Sequence, residues 1–424
     1  MSIPLGFISR TNSENRQEEE IINAIIQNDL PTVRTIASKS PKFIKKTTFN
    51  IEKQSNMQGS ILPLSSLSLM HIAAFFDSLE IFVFLEMHAH LSPSILNASS
   101  IHPIQYAVYG NSLEVASYIL NKYPDEALID ASLSYALYYC AASSPNAKND
   151  HMIRLLQMKK APFVYSPDNI LCPIHKAIRL KNIPVLKGLL KVYNSQKKNF
   201  TEERGIMTPL MTSISYGLSS GVDLLLQIGE DPLFITPDGR CALSHACFCN
   251  RKVNGKDSNI EIIEKLLISI GENSIEPFAK NISGPIQWIC QSKSPQIAKM
   301  IFEYHPEIDV NRVDENFISA PTTLAKKDMP VNDIIEMLTL FIEKGYEINR
   351  YDLENGQKTI LESFCFTISP KLEVVKFLLN NGANPYLPFI GNNKAARKRT
   401  IYINALEKPN LRPIMMEYEQ THQK

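Results

Sequence analysis

The stretch "MHIAAFFDSLEIFVFL", residues 70 to 85, is apolar except where Asp77, Ser78 and Glu80 interrupt it. Met70, Ala73 and Ala74 fall at helical spacing before the break, and Ile81, Phe84 and Leu85 fall at helical spacing after it. The pattern predicts two short helices joined by a polar turn. It returns along the chain in "HPIQYAVYGNSLEVASYIL" (102 to 120), "CPIHKAIRLKNIPVLKGLL" (172 to 190), "TPLMTSISYGLSSGVDLLL" (208 to 226) and "GPIQWICQSKSPQIAKMIF" (284 to 302). Weaker copies begin near Tyr135, Cys241, Ala320, Thr359 and Thr400, and "EIINAIIQNDLPTVRTIA" from Glu20 suggests another upstream. Successive starts at 68, 102, 135, 172, 208, 241, 284, 320, 359 and 400 lie 33 to 43 residues apart. A regular period of this length marks a stacked repeat array, in which each unit buries its apolar side against its neighbours.

The local chemistry fits helix starts. Thr208-Pro209 and Cys172-Pro173 place proline at a first helical position, where its missing N–H has no partner to lose. The alanines of the inner pair leave room for a second helix to approach.

At this period, "MHIAA", "PIHKAI", the intact "TPL" at Thr208 to Leu210, "DGRCAL" and the tail "LEVVKFLLNNGANPY" (372 to 386) resemble the ankyrin repeat. The nearest helical rival, the tetratricopeptide repeat, has a Trp-Leu-Gly and Tyr pattern that is absent. The resemblance spans roughly residues 18 to 424 and implies an all-α ankyrin-repeat solenoid of about 10 to 11 helix-turn-helix repeats with short hairpin loops. Residues 1–17 are then a polar tail, 18–64 an N-terminal capping repeat with a basic and polar insertion, and 65–424 the array ending in a C-terminal capping repeat. The family's inter-helix glycine is replaced by Asp77, Asn111, Lys181 and Lys293, and lysine suits a left-handed turn poorly. Three insertions, 41 to 64, 143 to 149 and 250 to 258, are polar or basic and are expected to loop out. Lys42, Lys45, Lys46 and Lys53 in the first are either a solvated loop or a contact for an acidic partner.

Composition adds exclusions. Forty-four Lys and Arg against 43 Asp and Glu leave a net charge of +1, without the basic excess of a nucleic-acid-binding domain, though local patches remain open. No run approaches the 18 or so apolar residues of a membrane span, and the first 20 residues lack a signal-peptide core. Seven scattered cysteines in apolar settings are expected as reduced thiols of a cytoplasmic protein, or a nuclear one if the basic run 394 to 399 is an import signal rather than a hairpin loop.

No phosphate-cradling or hydrolase motif is present, and no cofactor is expected. His71 and His175 occupy the histidine of the T-P-L-H signature, which the resemblance assigns to holding the turn. Cys241, His245, Cys247 and Cys249 form the densest group of metal-ligand types, yet Cys247 aligns with the buried Ala74, and core packing explains it without a metal.

The resemblance places the two residues after the small inner pair on the concave groove: Phe75-Phe76, Tyr109-Gly110, Arg179-Leu180, Ser215-Tyr216, Phe248-Cys249, Gln291-Ser292 and Phe366-Thr367. Six are aromatic. Either they form a protein-recognition surface, or shifted helices bury them between repeats. The resulting expectation is a non-catalytic scaffold or adaptor that binds partner proteins and inserts in no membrane. The alternatives are a structural subunit of a larger assembly, cytoskeletal for example, and an enzyme-associated regulatory subunit with a metal site at Cys241 to Cys249.

Overall fold

The computed structural model describes residues 13–51, 62–123, 136–143, 148–161, 173–196, 207–275, 284–314, 318–352, 358–388 and 399–422. The chain divides into two units, Met1–Gly205 and Ile206–Lys424. In the first, the described residues form five helical hairpins: α1 (Ser13–Ile26) with α2 (Leu30–Lys39), α4 (Leu69–Phe75) with α5 (Leu79–Met87), α6 (Pro103–Gly110) with α7 (Leu113–Lys122), α8 (Ala136–Ala142) with α9 (Asn149–Met158), and α10 (Pro173–Arg179) with α11 (Ile183–Gln196). One turn of helix, α3 (Pro41–Ile44), follows the first hairpin. The second unit holds six: α12 (Pro209–Ser215) with α13 (Ser219–Gln227), α14 (Ala242–Cys249) with α15 (Ile260–Ile270), α16 (Pro285–Ser292) with α17 (Pro295–Tyr304), α18 (Ala320–Thr323) with α19 (Val331–Glu343), α20 (Ile360–Cys365) with α21 (Leu372–Asn380), and α22 (Ile401–Leu406) with α23 (Arg412–His422). Each unit is an all-α stack of ankyrin-type hairpins.

Helix starts follow from the sequence. Pro103, Pro173, Pro209 and Pro285 open their helices, and the Thr208, Thr359 and Thr400 hydroxyls accept the N–H three residues on. Six of the inter-helix turns place one residue in the left-handed region. Asn28, Asp77, Asn111, Lys181 and Lys293 supply it with φ between 53° and 60°, as Gly217 does at 60°. The lysines therefore keep the turn that glycine would make, at a cost of about 1 kcal/mol each.

Within each unit, first helices pack on first helices and second helices on second. The small inner pairs Ala73-Ala74, Ala107-Val108, Cys140-Ala141, Ala177-Ile178, Ala246-Cys247, Ile289-Cys290 and Phe364-Cys365 are fully buried. From the second helices Ile81, Phe82 and Leu85, Val115 and Ile119, and Val185 and Leu189 fill the same layer. Each such side chain contributes roughly 2 kcal/mol of burial. Phe84, placed in this core by its spacing, is half-buried instead; its ring lies under the Arg34 guanidinium at 5.6 Å, and Phe82 takes the interior position.

The described residues of two insertions pack rather than loop out. Phe43, Ile44, Phe49, Ile51, Leu62 and Leu64 are buried, Phe49 and Leu67 exchange both backbone hydrogen bonds, and Lys46 pairs with Glu18 at 3.2 Å. The alternating apolar residues on either side of the lysines explain the packing; Lys53 lies outside the described residues. The insertion 250 to 258 forms the one sheet among the described residues, Lys252–Val253 against Lys256–Asp257 across an Asn254-Gly255 turn with both φ positive. Its Asp257 is buried and accepts from Asn250 Nδ2 at 2.8 Å and Ser294 Oγ at 2.5 Å. Of 143 to 149, residues 144–147 lie outside the described set, while Asn149 Nδ2 donates to Ser143 Oγ at 2.7 Å.

A buried polar side chain at the third position of the first helix binds the N–H that starts its own hairpin. Gln105 Oε1 accepts from His102 N, Ser244 Oγ from Cys241 N, and Gln287 Oε1 from Gly284 N, at 2.8 to 3.0 Å. His71 Nδ1 accepts from Ser68 N at 3.2 Å, which leaves Nε2 to donate to Ile101 O at 3.0 Å in the next loop. This geometry requires the neutral ring, and burial pushes the His71 pKa down to about 4. Glu362 takes the same position in α20, is 1% exposed, and neither of its oxygens has a hydrogen-bond partner among the described residues. Burial pushes its pKa up to about 7.

Three outcomes test this packing. A Cβ on Gly110 would stand 2.2 Å from Phe75 O, so Gly110→Ala is expected to force α6 off α4 at a cost of about 1–3 kcal/mol, seen as a lowered thermal midpoint. Because the folded pKa of His71 lies below its unfolded value, the stability it contributes is present above pH 6.5 and is lost as pH falls towards 4, by at most about 3 kcal/mol. Hydrogen exchange over Leu69–Phe75 should accelerate in that window in the native chain, and His71→Gln should flatten the dependence. Glu362 acts with the opposite sign: its contribution is intact below pH 4.5 and declines as pH rises through 7. Glu362→Gln is expected to raise the urea midpoint at pH 8 and leave it nearly unchanged at pH 4.5; equal midpoints at pH 8 would contradict the assignment.

Candidate functional site

The candidate surface is formed by the ends of the first helices and the turns after them. In the first unit, α4 ends at Phe75 and its C-cap is Phe76, both half-buried. Their rings meet edge to face with centroids 5.0 Å apart, and Tyr109 of α6 lies 6.1 Å from Phe75. Three of the residues expected on the groove thus form one aromatic cluster across two hairpins. The turn beneath it is fixed by electrostatics. Asp77 Oδ1 accepts from Glu114 N and Val115 N at 3.0 and 3.1 Å, two donors at the start of α7 that have no partner within the helix. Its other oxygen meets Lys148 Nζ at 3.4 Å, and Ser112 Oγ donates to Phe75 O at 2.8 Å. The cluster therefore sits on a braced turn.

Arg179 stands exposed at the end of α10, apart from the cluster. Near it, Lys176 Nζ lies 5.8 Å from the centroid of the Tyr138 ring, and its pKa is lowered by burial and by the Arg179 charge. Leu180 beside them is 45% exposed.

In the second unit, Tyr216 caps α12 and is 43% exposed, while Phe248 on α14 is 60% exposed. Their rings make no mutual contact. Phe366, the C-cap of α20, is half-buried with Lys408 Nζ 4.9 Å above its ring. Ser215 Oγ and His245 Nε2 are 2.7 Å apart, and Cys249 Sγ is 3.4 Å from the same nitrogen. This link between neighbouring first helices was not expected from sequence.

The metal-ligand types separate. Cys241 accepts from Ser244 N as the cap of α14, Cys247 is in the core with its thiol pushed up by burial, and only His245 and Cys249 touch. Among the described residues no three His, Cys, Asp or Glu side chains are grouped as a metal site would need. Burial also holds the Cys249 thiol above its ordinary pKa and lowers that of His245, so the pair favours neutral partners over a thiolate and imidazolium. No carboxylate orients the His245 ring among the described residues, and the group lacks the third member of a nucleophilic triad.

No helix among the described residues is long and apolar enough to cross a membrane. An open cleft of about 410 Å³ between α1 and α2, edged by Arg16, Glu20, Thr32 and Lys39, is well apart in sequence from these residues.

No family model matches the chain, and no curated protein matches it. Among solved structures, the ankyrin repeat domain of Bcl-3, described as a unique member of the IkappaB protein family, is similar at 20% identity over 55% of this chain and 97% of that one, with a TM-score of 0.41. The human ASB11 ankyrin repeat domain is similar at 14% identity over 58% of this chain and 97% of that one, with a TM-score of 0.43. The likeness is remote, and the ankyrin-type arrangement stands on the hairpin geometry of the chain itself.

Proposed function

We propose that this chain is a non-catalytic scaffold or adaptor of the cytoplasm, which engages partner proteins through the first-helix ends and turns of its hairpins. The observation that carries the reading is the set of exposed and half-exposed aromatics at the first-helix ends: Phe75, Phe76 and Tyr109 beside the turn braced by Asp77 in one unit, Tyr216 and Phe248 in the other. Aromatic side chains with few rotatable bonds, fixed in place before binding, carry a large share of interface energy. Arg179 and Phe366 complete the proposed contact set. Permanent incorporation into a larger assembly is the second reading, and it differs in that the contacts would persist at high salt.

The test compares the wild type with Tyr216→Ser/Phe248→Ser and with Phe75→Ser/Tyr109→Ser in quantitative affinity capture. The exposed pair is expected to keep its thermal midpoint and to lose proteins retained by the wild type by at least about tenfold. Identical captured sets from wild type and the exposed-pair variant would remove the basis for the proposal. Retention of the same set through high-salt washes would favour the permanent subunit.

A further inference from the structure

Residues 148 to 196 carry nine Lys and Arg against two Asp, in a chain whose total is +1. Their cations fall on the last two hairpins of the first unit. Register places several on one face. In α9 the buried residues Met152, Ile153 and Leu156 stand three, four and seven positions after Asn149; in α11 Val185, Leu186 and Leu189 stand three, four and seven after Asn182. Asn149 and Asn182 are therefore equivalent, and both are buried and bonded to Ser143. Arg154 and Lys187 then occupy one register position, and Met158 and Lys191 the position a turn further on.

The two helices pack side by side, so these four side chains are the corners of a patch roughly 6 Å along each helix and 8–10 Å across. All four are exposed, Met158 at 77%. Arg154 pairs with Asp150 at 2.6 Å on the same helix; among the described residues Lys187 and Lys191 pair with no carboxylate. The patch lies on second helices, whereas Phe75, Phe76 and Tyr109 of the same unit sit at the ends of first helices.

We infer that this face docks an acidic, amphipathic helical segment of a partner protein. Three cations around one exposed methionine match a helix whose glutamates flank an apolar residue, because such a segment neutralises the charge and covers the thioether together. A uniform polyanion such as nucleic acid would use the charges and leave Met158 in water. Methionine suits the apolar contact, being unbranched and adaptable. This surface is independent of the aromatic one.

The test uses the full chain and a fluorescently labelled acidic amphipathic peptide of about 18 residues, measured by anisotropy from about 50 to about 300 mM salt. Binding is expected to weaken steeply with salt. Arg154→Gln/Lys187→Gln/Lys191→Gln should lower affinity at least tenfold, Lys187→Gln alone severalfold, and Met158→Ser severalfold with an unchanged salt slope. The Tyr216→Ser/Phe248→Ser variant should bind the peptide as the wild type does, which separates failure here from failure of the groove reading. Circular dichroism melts confirm that the exposed substitutions leave the fold intact. No binding, binding indifferent to the single and triple glutamine variants, an unaffected Met158→Ser, or tighter binding of single-stranded RNA or phosphatidylserine vesicles than of the peptide would overturn the inference.

Discussion

A helical hairpin of this size cannot bury its own apolar side, and everything else in the molecule follows from that shortfall. Each hairpin presents small residues where the next must come close, such as Ala73-Ala74 and Ala107-Val108, and larger ones where the second helices fill the layer. Closeness is the limiting quantity. The backbone of α6 comes so near the carbonyl of Phe75 that position 110 has no room for a methyl group. Ser112 Oγ then donates to that same carbonyl, converting a close approach into a hydrogen bond. Packing of this kind is a sum over neighbours, so sequence can drift widely provided each interface keeps its spacing.

That constraint also decides what was legible in the sequence. Helix starts are set by local chemistry, a proline or a capping hydroxyl, and those at Pro103, Pro173, Pro209, Pro285 and Ile360 follow directly from it. The replaced turn residues were recognised by position, but the persistence of the left-handed turn at Lys181 and Lys293 was not, because tertiary packing overrides a local preference worth about 1 kcal/mol. The insertion after α2 reads as basic by composition, while its packing depends on apolar residues spread thinly on both sides of the lysines. For the candidate surface, the positions of Phe75, Phe76 and Tyr109 came from the repeat register, whereas their meeting as one cluster depends on side-chain directions that a register does not contain. The Ser215–His245 contact joins two hairpins 30 residues apart and leaves no mark within either one alone.

Polar groups in the interior define the register that apolar packing leaves loose. The third residue of the first helix binds the hairpin's own starting N–H in four hairpins, through histidine, glutamine or serine, so the chemical requirement is an acceptor rather than a residue type. A second row runs through the tails of the second unit: Asn311 bonds Gly345 O and Glu347 N, and Asn349 bonds Gly382 O and Asn384 N, each at 2.7 to 2.9 Å. Each asparagine gives and takes one hydrogen bond with the next hairpin, which fixes that hairpin's height as well as its distance. Glu362 breaks the first row; a carboxylate without a partner there opposes folding at neutral pH, and the apolar contacts of Ile360, Leu361 and Phe364 must offset it.

Neighbour-only packing would let each interface open on its own, and the charged contacts act against this. Lys148 reaches back past one hairpin to Asp77, and Lys252, on the β-hairpin, reaches forward past one to Asp333. Both skip the adjacent hairpin, so they couple interfaces that share no apolar contact. Both also lie at the surface, where an ion pair contributes at most about 1 kcal/mol and salt weakens it. Core and surface therefore divide the work by range and by sensitivity: burial holds adjacent hairpins together whatever the ionic strength, and the longer ties stiffen the stack only where counter-ions are dilute. Asp77 joins one long tie to the proposed surface. The carboxylate that makes the long tie also caps α7 next to the Phe75, Phe76 and Tyr109 cluster, so a partner seated on the proposed surface would also shield the tie from water and strengthen it.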